Sequence, residues 1–332
     1  MSNDSTILVT GGAGYIGSHV VKQLGAMGEP VVVLDNLATG FKNAVTHGTL
    51  IIGDTGDKTL VSRILQDYTV DTVMHFAAST IVPESVTNPL KYYRNNTANT
   101  LNLLECCQAA KVKHIVFSST AAVYGTPEQA ECEETSPLQP INPYGMSKLM
   151  SENMLRDLDH ATPLNHVILR YFNVAGSDPK GEIGQSTAKA TLLTKVAVEA
   201  VVGKRSHVSI FGTDYPTADG TGIRDYIHVE DLASAHIQAL HYLRDGGQST
   251  TLNCGYGHGF SVRELLQAVE RVSGVKLNIR EEPRRAGDPP ALIARADRIR
   301  TLLNWSPQYD NLDTIVEHAL AWEKHLLENP MT

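Results

Sequence analysis

The sequence has little of what marks secreted, metal-binding, membrane-spanning or nucleic-acid-binding proteins. It contains four cysteines in 332 residues, and their spacing is not that of zinc ligands. No apolar run is long enough to cross a bilayer, and residues 1–6 lack the basic, apolar, small-residue order of a signal peptide. Lysine and arginine are scattered, and the formal net charge is −8. We therefore expect a cytoplasmic protein with reduced thiols that holds no metal and binds neither nucleic acid nor membrane.

Short apolar runs alternate with helical patterns through the first half of the chain. The runs that indicate buried strands are residues 7–9, 31–34, 50–52, 72–76, 114–117 and 167–170. Continuous apolar strands separated by helices predict a parallel sheet that is covered on both faces. The expected fold class is therefore α/β, a Rossmann-type doubly wound parallel sheet with a smaller C-terminal substrate lobe.

The pattern changes after residue 174, where polar loops and separate helices replace the regular alternation. We expect residues 1–174 to form an NAD-binding domain, with residues 223–245 returning to it. Residues 175–222 and 246–332 are expected to form the smaller lobe. Ser261 and Glu264 open a helix there in the spacing of a capping box.

A glycine-rich loop lies between the first strand and the first helix. Gly11, Gly14 and Gly17 let the backbone approach a pyrophosphate, and the helix N-terminus adds the positive end of its dipole. Asp35 ends the second strand, where a carboxylate accepts hydrogen bonds from both adenosine ribose hydroxyls and repels a 2′-phosphate. The alternative is a plain tight turn. In this order of strand, loop and helix we expect a dinucleotide site that favours NAD over NADP.

Other polar residues also follow the strands, at the edge where ligands bind in such sheets. Asp54 either holds the adenine amino group or is a solvated loop carboxylate. Asn95 either meets the ribose or diphosphate or caps a helix. The candidates at strand ends are Gly11, Asp35, Asp54, Ala77, Ser118 and Asn173.

Tyr144 and Lys148 stand four residues apart and so share one face of a helix, with the ammonium beside the phenol. Free tyrosine ionises near ~10, so a phenolate base near neutral pH needs about 1.4 kcal/mol of stabilisation per unit of pKa shift. Lys148 supplies that field. Thr120 adds a hydroxyl that positions the substrate alcohol or relays its proton, while Ser118 and Ser119 satisfy loop backbone groups instead. Such a tyrosine–lysine pair also arises by chance, but behind the glycine loop it predicts catalysis.

Two arginines in the second half are candidates for a diphosphate. The guanidinium groups of Arg224 and Arg285 match phosphate oxygens, and Asp288 accepts from nucleotide ribose hydroxyls. The alternative is a set of surface ion pairs in an acidic protein.

Together these motifs resemble the UDP-glucose 4-epimerases, a family within the extended short-chain dehydrogenase/reductase superfamily. The similarity covers nearly the whole chain. Its segments are residues 10–19, 34–37, 82–86, 118–125, 142–148, 169–173, 211–229 and 284–289. The resemblance implies tightly bound NAD, a UDP-sugar substrate and a homodimer joined through residues 95–110 and 151–160.

The activity that the resemblance implies is interconversion of UDP-glucose and UDP-galactose through a 4-keto intermediate, with the N-acetylhexosamine pair as an extension. Tyr144 takes the proton from the sugar 4-hydroxyl while C4 gives a hydride to the nicotinamide. The keto sugar turns over, and the hydride returns to its opposite face.

Motifs and resemblance together define two groups of site residues. The cofactor group is Gly11, Gly14, Tyr15, Ile16, Gly17, Asp35, Asn36, Asp54, Thr55, Phe76, Ala77, Ala78, Asn95, Lys148 and Phe172. The substrate group is Thr120, Tyr144, Asn173, Thr191, Phe211, Arg224, Arg285, Asp288 and Leu292. Residues 189–194 differ from the family's segment, which carries an amide or a histidine there. This difference weakens the assignment of Thr191 to the substrate site. Leu292 stands where the family varies between tyrosine and smaller side chains, and leucine leaves room for an N-acetyl group.

Three other functions are compatible with parts of this pattern. A sugar-nucleotide 4,6-dehydratase needs an Asp-Glu pair after the catalytic threonine, but Ala121 and Ala122 follow Thr120. A UDP-pentose or UDP-uronate 4-epimerase would use the same tyrosine and lysine. A non-catalytic NAD-sensing regulator would be favoured by loss of either residue, and both are present.

Overall fold

The computed structural model describes residues 5–188, 190–285 and 288–331, so Lys189 and most of the polar N-terminal segment lie outside the described residues. The strands are β1 (Thr6–Thr10), β2 (Val31–Asp35), β3 (Thr49–Ile52), β4 (Val70–His75), β5 (His114–Thr120), β6 (Glu131–Cys132), β7 (Asn165–Tyr171), β8 (Asn173–Ala175), β9 (Val208–Phe211), β10 (Ile223–Arg224), β11 (Tyr226–His228), β12 (Thr250–Cys254), β13 (Phe260–Ser261), β14 (Ile279–Glu282) and β15 (Ala291–Ala294). The α-helices are α1 (Tyr15–Ala26), α2 (Lys58–Asp67), α3 (Val82–Thr87), α4 (Pro89–Tyr92), α5 (Asn99–Ala110), α6 (Pro143–Ala161), α7 (Leu193–Val201), α8 (Val229–Arg244), α9 (Val262–Ser273), α10 (Asp297–Leu302) and α11 (Leu312–Glu328).

Seven parallel strands form the main sheet, in the order β12-β7-β5-β4-β1-β2-β3. The chain runs outward from β1 to β3 and then returns to β4 on the other side of β1. This reversal opens a crevice between the carboxyl ends of β1 and β4, where doubly wound sheets bind their ligands. The predicted fold class is confirmed, and all six predicted strands belong to this sheet.

The seventh strand lies outside the range that was expected to return to the main sheet. Strand β12 pairs with β7, although the sequence pattern assigned residues 246–332 to the smaller lobe. Residues 223–245 do return to this domain, as helix α8, which packs on α1, β5 and β7, whereas β10 and β11 join other sheets. The expected boundary at residue 245 is therefore wrong. Polar residues interrupt β12, which deprives it of the continuous apolar run that marked the other strands.

The smaller lobe is built on short sheets and a helical layer. One sheet has the order β13-β10-β15-β6, β9 pairs with β14, and β8 pairs with β11. Helices α7, α9 and α11 pack on one another, and the expected capping box of Ser261 and Glu264 opens α9. A continuous apolar core joins this lobe to the main sheet.

Membrane spans and metal clusters are absent from the parts of the chain that the structure describes. No helix there is long and apolar enough to cross a bilayer. The same ranges contain no group of three histidine, cysteine or acidic side chains placed to hold a metal ion. All four cysteines are buried free thiols.

Asp225 joins the smaller lobe to the main sheet. Its fully buried carboxylate accepts hydrogen bonds from the backbone N–H groups of Tyr256 (2.9 Å), Gly257 (3.0 Å) and Ala294 (3.3 Å). These donors follow β12 and end β15, so one side chain satisfies backbone groups from both parts of the molecule.

We expect Asp225→Ala to destabilise the protein by about 3 kcal/mol, because the buried N–H groups of Tyr256 and Ala294 and the more exposed N–H of Gly257 lose their acceptor. Chemical denaturation at neutral pH measures the free energy of unfolding. Asp245→Ala is the matched control, since Asp245 is exposed at the end of α8 and should change stability by about 0.5 kcal/mol or less. Equal unfolding free energies for the two variants would contradict this role of Asp225.

Candidate active site

The glycine loop packs directly against the ends of β1 and β4. Gly11 has a φ of +73°, and a Cβ atom there would lie 2.6 Å from the Ala77 nitrogen. At Gly17 a Cβ atom would lie 2.3 Å from the Gly11 carbonyl oxygen. Neither position has room for a side chain, so the loop stays narrow and its backbone is open to an approaching ligand.

The N-terminus of α1 fits the diphosphate of a dinucleotide. Gly14 is the N-cap residue, and none of the described side chains caps this helix. The first backbone N–H groups of an α-helix have no partner within it, so here they are free to donate to an anion at the positive end of the dipole. The residues present therefore fit NAD. Tyr15, in the same turn, donates its phenol to the Gly176 carbonyl at 2.6 Å and so touches the smaller lobe.

Asp35 holds the glycine loop in place. Its carboxylate oxygens accept from the backbone N–H of Ala13 at 2.9 Å and of Leu37 at 2.8 Å. Burial raises the pKa of this carboxyl, and the two backbone donors lower it. The contact of Asp35 with the ribose remains a prediction. The structure adds a second role, holding the glycine loop, which the sequence pattern did not indicate.

Asp54 is fixed by protein donors rather than solvated in a loop. Its oxygens accept from the side-chain amides of Asn36 (2.9 Å) and Asn99 (2.8 Å) and from the backbone N–H of Gly56 (2.8 Å). The solvated-carboxylate alternative is therefore wrong, whereas contact with adenine stays a prediction.

Asn95 does not cap a helix. It lies in the π-helical turn Tyr93–Ala98, and its amide donates to the Ser79 hydroxyl at 3.1 Å. The helix-cap alternative is wrong, and the ribose or diphosphate contact stays a prediction. Turns of this kind inside helices are frequent at functional sites.

The remaining predicted cofactor residues lie at the carboxyl edge of the main sheet or in the first turn of α1. In the order of the elements they follow or open, they are Ile16 (α1), Thr55 (β3), Phe76, Ala77 and Ala78 (β4), and Phe172 (β7).

Thr120, Tyr144 and Lys148 come together at the end of β5. The Asn142 side chain accepts from the Gly145 backbone N–H at 2.8 Å and so starts α6, which places Tyr144 in its first turn. The Thr120 hydroxyl lies near the Tyr144 phenol. Burial raises the pKa of Tyr144, and the nearby Thr120 hydroxyl opposes this effect. The predicted catalytic residues thus form one cluster.

Lys148 is buried one turn further along α6. Its Nζ lies 4.3 Å from the centroid of the Phe117 ring. Burial lowers the pKa of Lys148 to about 7, against an opposing effect of the Glu152 carboxylate. Among the described residues no acidic group forms an ion pair with this ammonium. Its charge therefore depends on groups at a distance.

The sequence analysis missed a polar cluster beneath this site. Glu152 forms a bidentate ion pair with Arg170, with distances of 3.0 Å and 2.7 Å, and accepts from Ser119 at 2.5 Å. The Ser118 hydroxyl donates to the Tyr171 phenol at 2.8 Å. Neither serine serves the loop backbone, so that expectation is wrong. Two sequence signals could have revealed this cluster. Arg170 is a charged residue in an otherwise apolar strand, and Glu152 lies on the same helical face as Tyr144.

Predicted substrate residues meet in pairs within the smaller lobe. The guanidinium of Arg285 lies 3.6 Å from the centroid of the Phe211 ring, and Arg224 is the register partner of Leu292 on the next strand. Arg224 donates to the Ile223 carbonyl at 2.8 Å. In the described part of the chain neither arginine forms an ion pair, so surface ion pairing does not explain them.

Three further substrate candidates are less closely tied to the site. Asn173 begins β8, directly after Phe172, and is the register partner of Tyr226. Thr191 is exposed on the segment before α7, and Asp288 is exposed in a turn with Arg285. Their substrate contacts stay predictions.

Comparisons with known proteins agree with this geometry. The model of the NAD dependent epimerase/dehydratase family matches residues 7–255. The UDP-glucose 4-epimerase of Azospirillum brasilense is 56% identical over 321 residues, which cover 96% of this chain and 92% of that protein.

Two solved structures are similar over nearly the whole chain. The UDP-glucose 4-epimerase from Brucella ovis in complex with NAD has a TM-score of 0.93 and 43% identity, and covers 95% of this chain and 97% of its own. The UDP-Glc/GlcNAc 4-epimerase from Campylobacter jejuni has a TM-score of 0.85 and 51% identity. The match covers 97% of this chain and 99% of that one. The family inferred from the motifs is confirmed, and the chain belongs to the NAD dependent epimerase/dehydratase family.

Proposed function

We propose that this protein interconverts UDP-glucose and UDP-galactose by NAD-dependent epimerisation at C4. The observation that carries the proposal is the grouping of Thr120, at the end of β5, with the buried Tyr144 and Lys148 in the first two turns of α6. This cluster lies beside the crevice into which the glycine loop opens. The names of the similar proteins support the choice of sugar nucleotide.

Tyr144 acts as the base. Bound NAD supplies a nicotinamide that accepts a hydride and gives it back. Thr120 holds the sugar 4-hydroxyl, and Tyr144 takes its proton as C4 is oxidised to the ketone. After the sugar has turned over, Tyr144 returns the proton to the 4-oxygen as C4 is reduced from the other face. Lys148 stabilises the phenolate in its ammonium form.

The smaller lobe holds the UDP group while the sugar turns. Arg224 and Arg285 carry guanidinium groups free of ion pairs within the described ranges, and such groups match diphosphate oxygens. Phe211 presents an aromatic ring beneath Arg285. Anchoring UDP through these residues leaves the ring of the sugar as the mobile part of the substrate.

We expect Tyr144→Phe to lower the rate of UDP-galactose conversion by about 10²-fold or more, because the phenylalanine ring cannot take the proton. Purified enzyme without added NAD is incubated with UDP-galactose, and UDP-glucose is followed by anion-exchange chromatography. Tyr242→Phe is the matched control, since Tyr242 donates to the Gln248 carbonyl far from the site. Full activity of Tyr144→Phe would remove the tyrosine from the mechanism.

Leu292 leaves space beside the sugar 2-substituent and supports turnover of the N-acetylhexosamine pair. It is half-buried and faces Arg224 across the parallel pair of β10 and β15. The Campylobacter jejuni relative is named for both hexose and N-acetylhexosamine nucleotides.

We expect Leu292→Tyr to lower kcat/KM for UDP-N-acetylglucosamine by about tenfold relative to UDP-glucose, because the phenol fills that space. The two substrates are compared in the same chromatographic assay. Leu302→Tyr, on the exposed face of α10, should leave the ratio unchanged. An unchanged ratio in Leu292→Tyr would show that another side chain sets this preference.

A homodimer is part of the proposal. Among the described residues, twelve large apolar side chains are exposed, and six of them lie between residues 82 and 150. They include Leu90 on α4, Leu101 on α5 and Met150 on α6. Exposed apolar side chains concentrated on neighbouring helices mark interaction surfaces, and a second copy of the chain is the proposed partner.

Leu101→Glu should convert the dimer to a monomer, because a carboxylate would be buried without a partner in the interface. Size-exclusion chromatography with light scattering measures the mass. Leu327→Glu adds the same charge at an exposed apolar site on α11, outside this surface, and should remain dimeric. If Leu101→Glu keeps the mass of the wild type, helix α5 does not form the interface.

The cytoplasm is the proposed compartment. Support comes from the four cysteines, all buried as free thiols, which suit a reducing environment.

A further inference from the structure

Glu152 lies on the same face of α6 as the two residues that act on the substrate. Tyr144, Lys148 and Glu152 follow one another at intervals of four, so each side chain lies one turn beyond the last. Glu152 is fully buried, and it is the acidic group that favours the ammonium form of Lys148. A carboxylate in that position stabilises a buried cation without touching it.

Arg170 keeps Glu152 both charged and fixed. Two guanidinium nitrogens reach the two carboxylate oxygens at 3.0 Å and 2.7 Å, a bidentate geometry that leaves the side chain one orientation. Arg170, Ser119 and Arg156 lower the pKa of Glu152 against the effect of burial. The carboxylate is therefore ionised at neutral pH.

The same cluster ties α6 to the strand that ends in Thr120. Ser119 is the register partner of Arg170 in the sheet, and both bind Glu152. The Tyr124 phenol accepts from Arg170 at 3.0 Å and donates to Asn253 at 2.6 Å, which extends the network toward β12. These contacts fix the position of α6, and with it Tyr144, relative to β5 and β7.

Other groups around the pair do not take over the role of Glu152. His75 on β4 faces Lys148, but burial lowers its pKa to about 3, so it is neutral. His166 on β7 faces Glu152, and burial lowers its pKa to about 4. Tyr92 on α4 and Tyr171 on β7 face Tyr144, and burial raises the pKa of both phenols. The charged groups that remain are Glu152, Arg170 and the half-exposed Arg156.

We propose that Glu152 is a positioning residue for the catalytic pair: clamped by Arg170 and Ser119, its carboxylate keeps Lys148 an ammonium beside Tyr144. The inference rests on the proposed roles of Tyr144 and Lys148. Without the carboxylate, Lys148 loses its proton at a lower pH. Fewer molecules then carry an ammonium next to Tyr144 near neutral pH, and so fewer carry the Tyr144 phenolate there.

The test removes the charges of Glu152 and Arg170 together, because a single substitution would leave a buried charge unpaired. In Glu152→Gln/Arg170→Gln the Tyr144 phenolate absorbance near neutral pH should be about three- to tenfold smaller than in wild type, and kcat there should fall by about the same factor, with KM for UDP-galactose little changed. Phenolate formation is followed by ultraviolet absorbance, with the signal of a Tyr144→Phe partner subtracted in each background. This titration needs no turnover, so it tests the inference even if the wild type does not epimerise UDP-galactose. That failure would contradict the proposed function but not the role of Glu152.

A matched control separates charge from stability. Lys195→Gln/Glu323→Gln removes another buried ion pair, in the smaller lobe, and should leave both the phenolate titration and the pH–rate profile unchanged. If the glutamine pair at 152 and 170 fails to fold, Glu152→Met/Arg170→Met replaces it with apolar side chains that pack in the same space. A folded variant of either kind with a wild-type titration and pH–rate profile would overturn the proposal and leave Glu152 a purely structural residue.

Discussion

Burial of the Lys148 ammonium is the constraint on which the catalytic site depends. In water this group would stay charged well above neutral pH, but between α6 and the Phe117 ring burial lowers its pKa to about 7. A lysine so close to losing its proton responds to small changes in the surrounding field. The arrangement suits a site in which the neighbouring Tyr144 must take a proton from the substrate and return it in each turnover.

The division of the molecule follows from the two tasks of the site. The main sheet supplies the glycine loop, the tyrosine and the lysine on parallel strands and helices of fixed register. The smaller lobe supplies the arginines and the aromatic ring. The two parts are joined by a common apolar core, by the carboxylate of Asp225 and by the bond from Tyr15 to Gly176. The loop that fits NAD therefore touches the lobe that would hold UDP.

Local patterns were enough to predict much of this site. The glycine loop and the Tyr144–Lys148 pair depend on spacings of a few residues, and the buried strands of the first half are continuous apolar runs. Strand β12 was not predicted because polar residues interrupt its apolar pattern and because its place at the sheet edge depends on pairing with β7. Glu152 and Arg170 were not predicted because their role depends on a contact between a helix and a strand, which the sequence of either segment alone does not show. Thr191 was assigned by resemblance alone, and no described contact ties it to the rest of the site.

The central claim is that C4 loses a hydride and then regains the same hydride, which never leaves the site. The most direct measurement supplies UDP-galactose deuterated at C4 to the purified enzyme in ordinary water, without added NAD, and analyses the UDP-glucose formed by mass spectrometry and NMR. Retention of the deuterium at C4 is the predicted result, because the hydride returns to the carbon it came from. Loss of the deuterium to solvent would contradict the account, since it would mean that the configuration changes by proton exchange and not by hydride return.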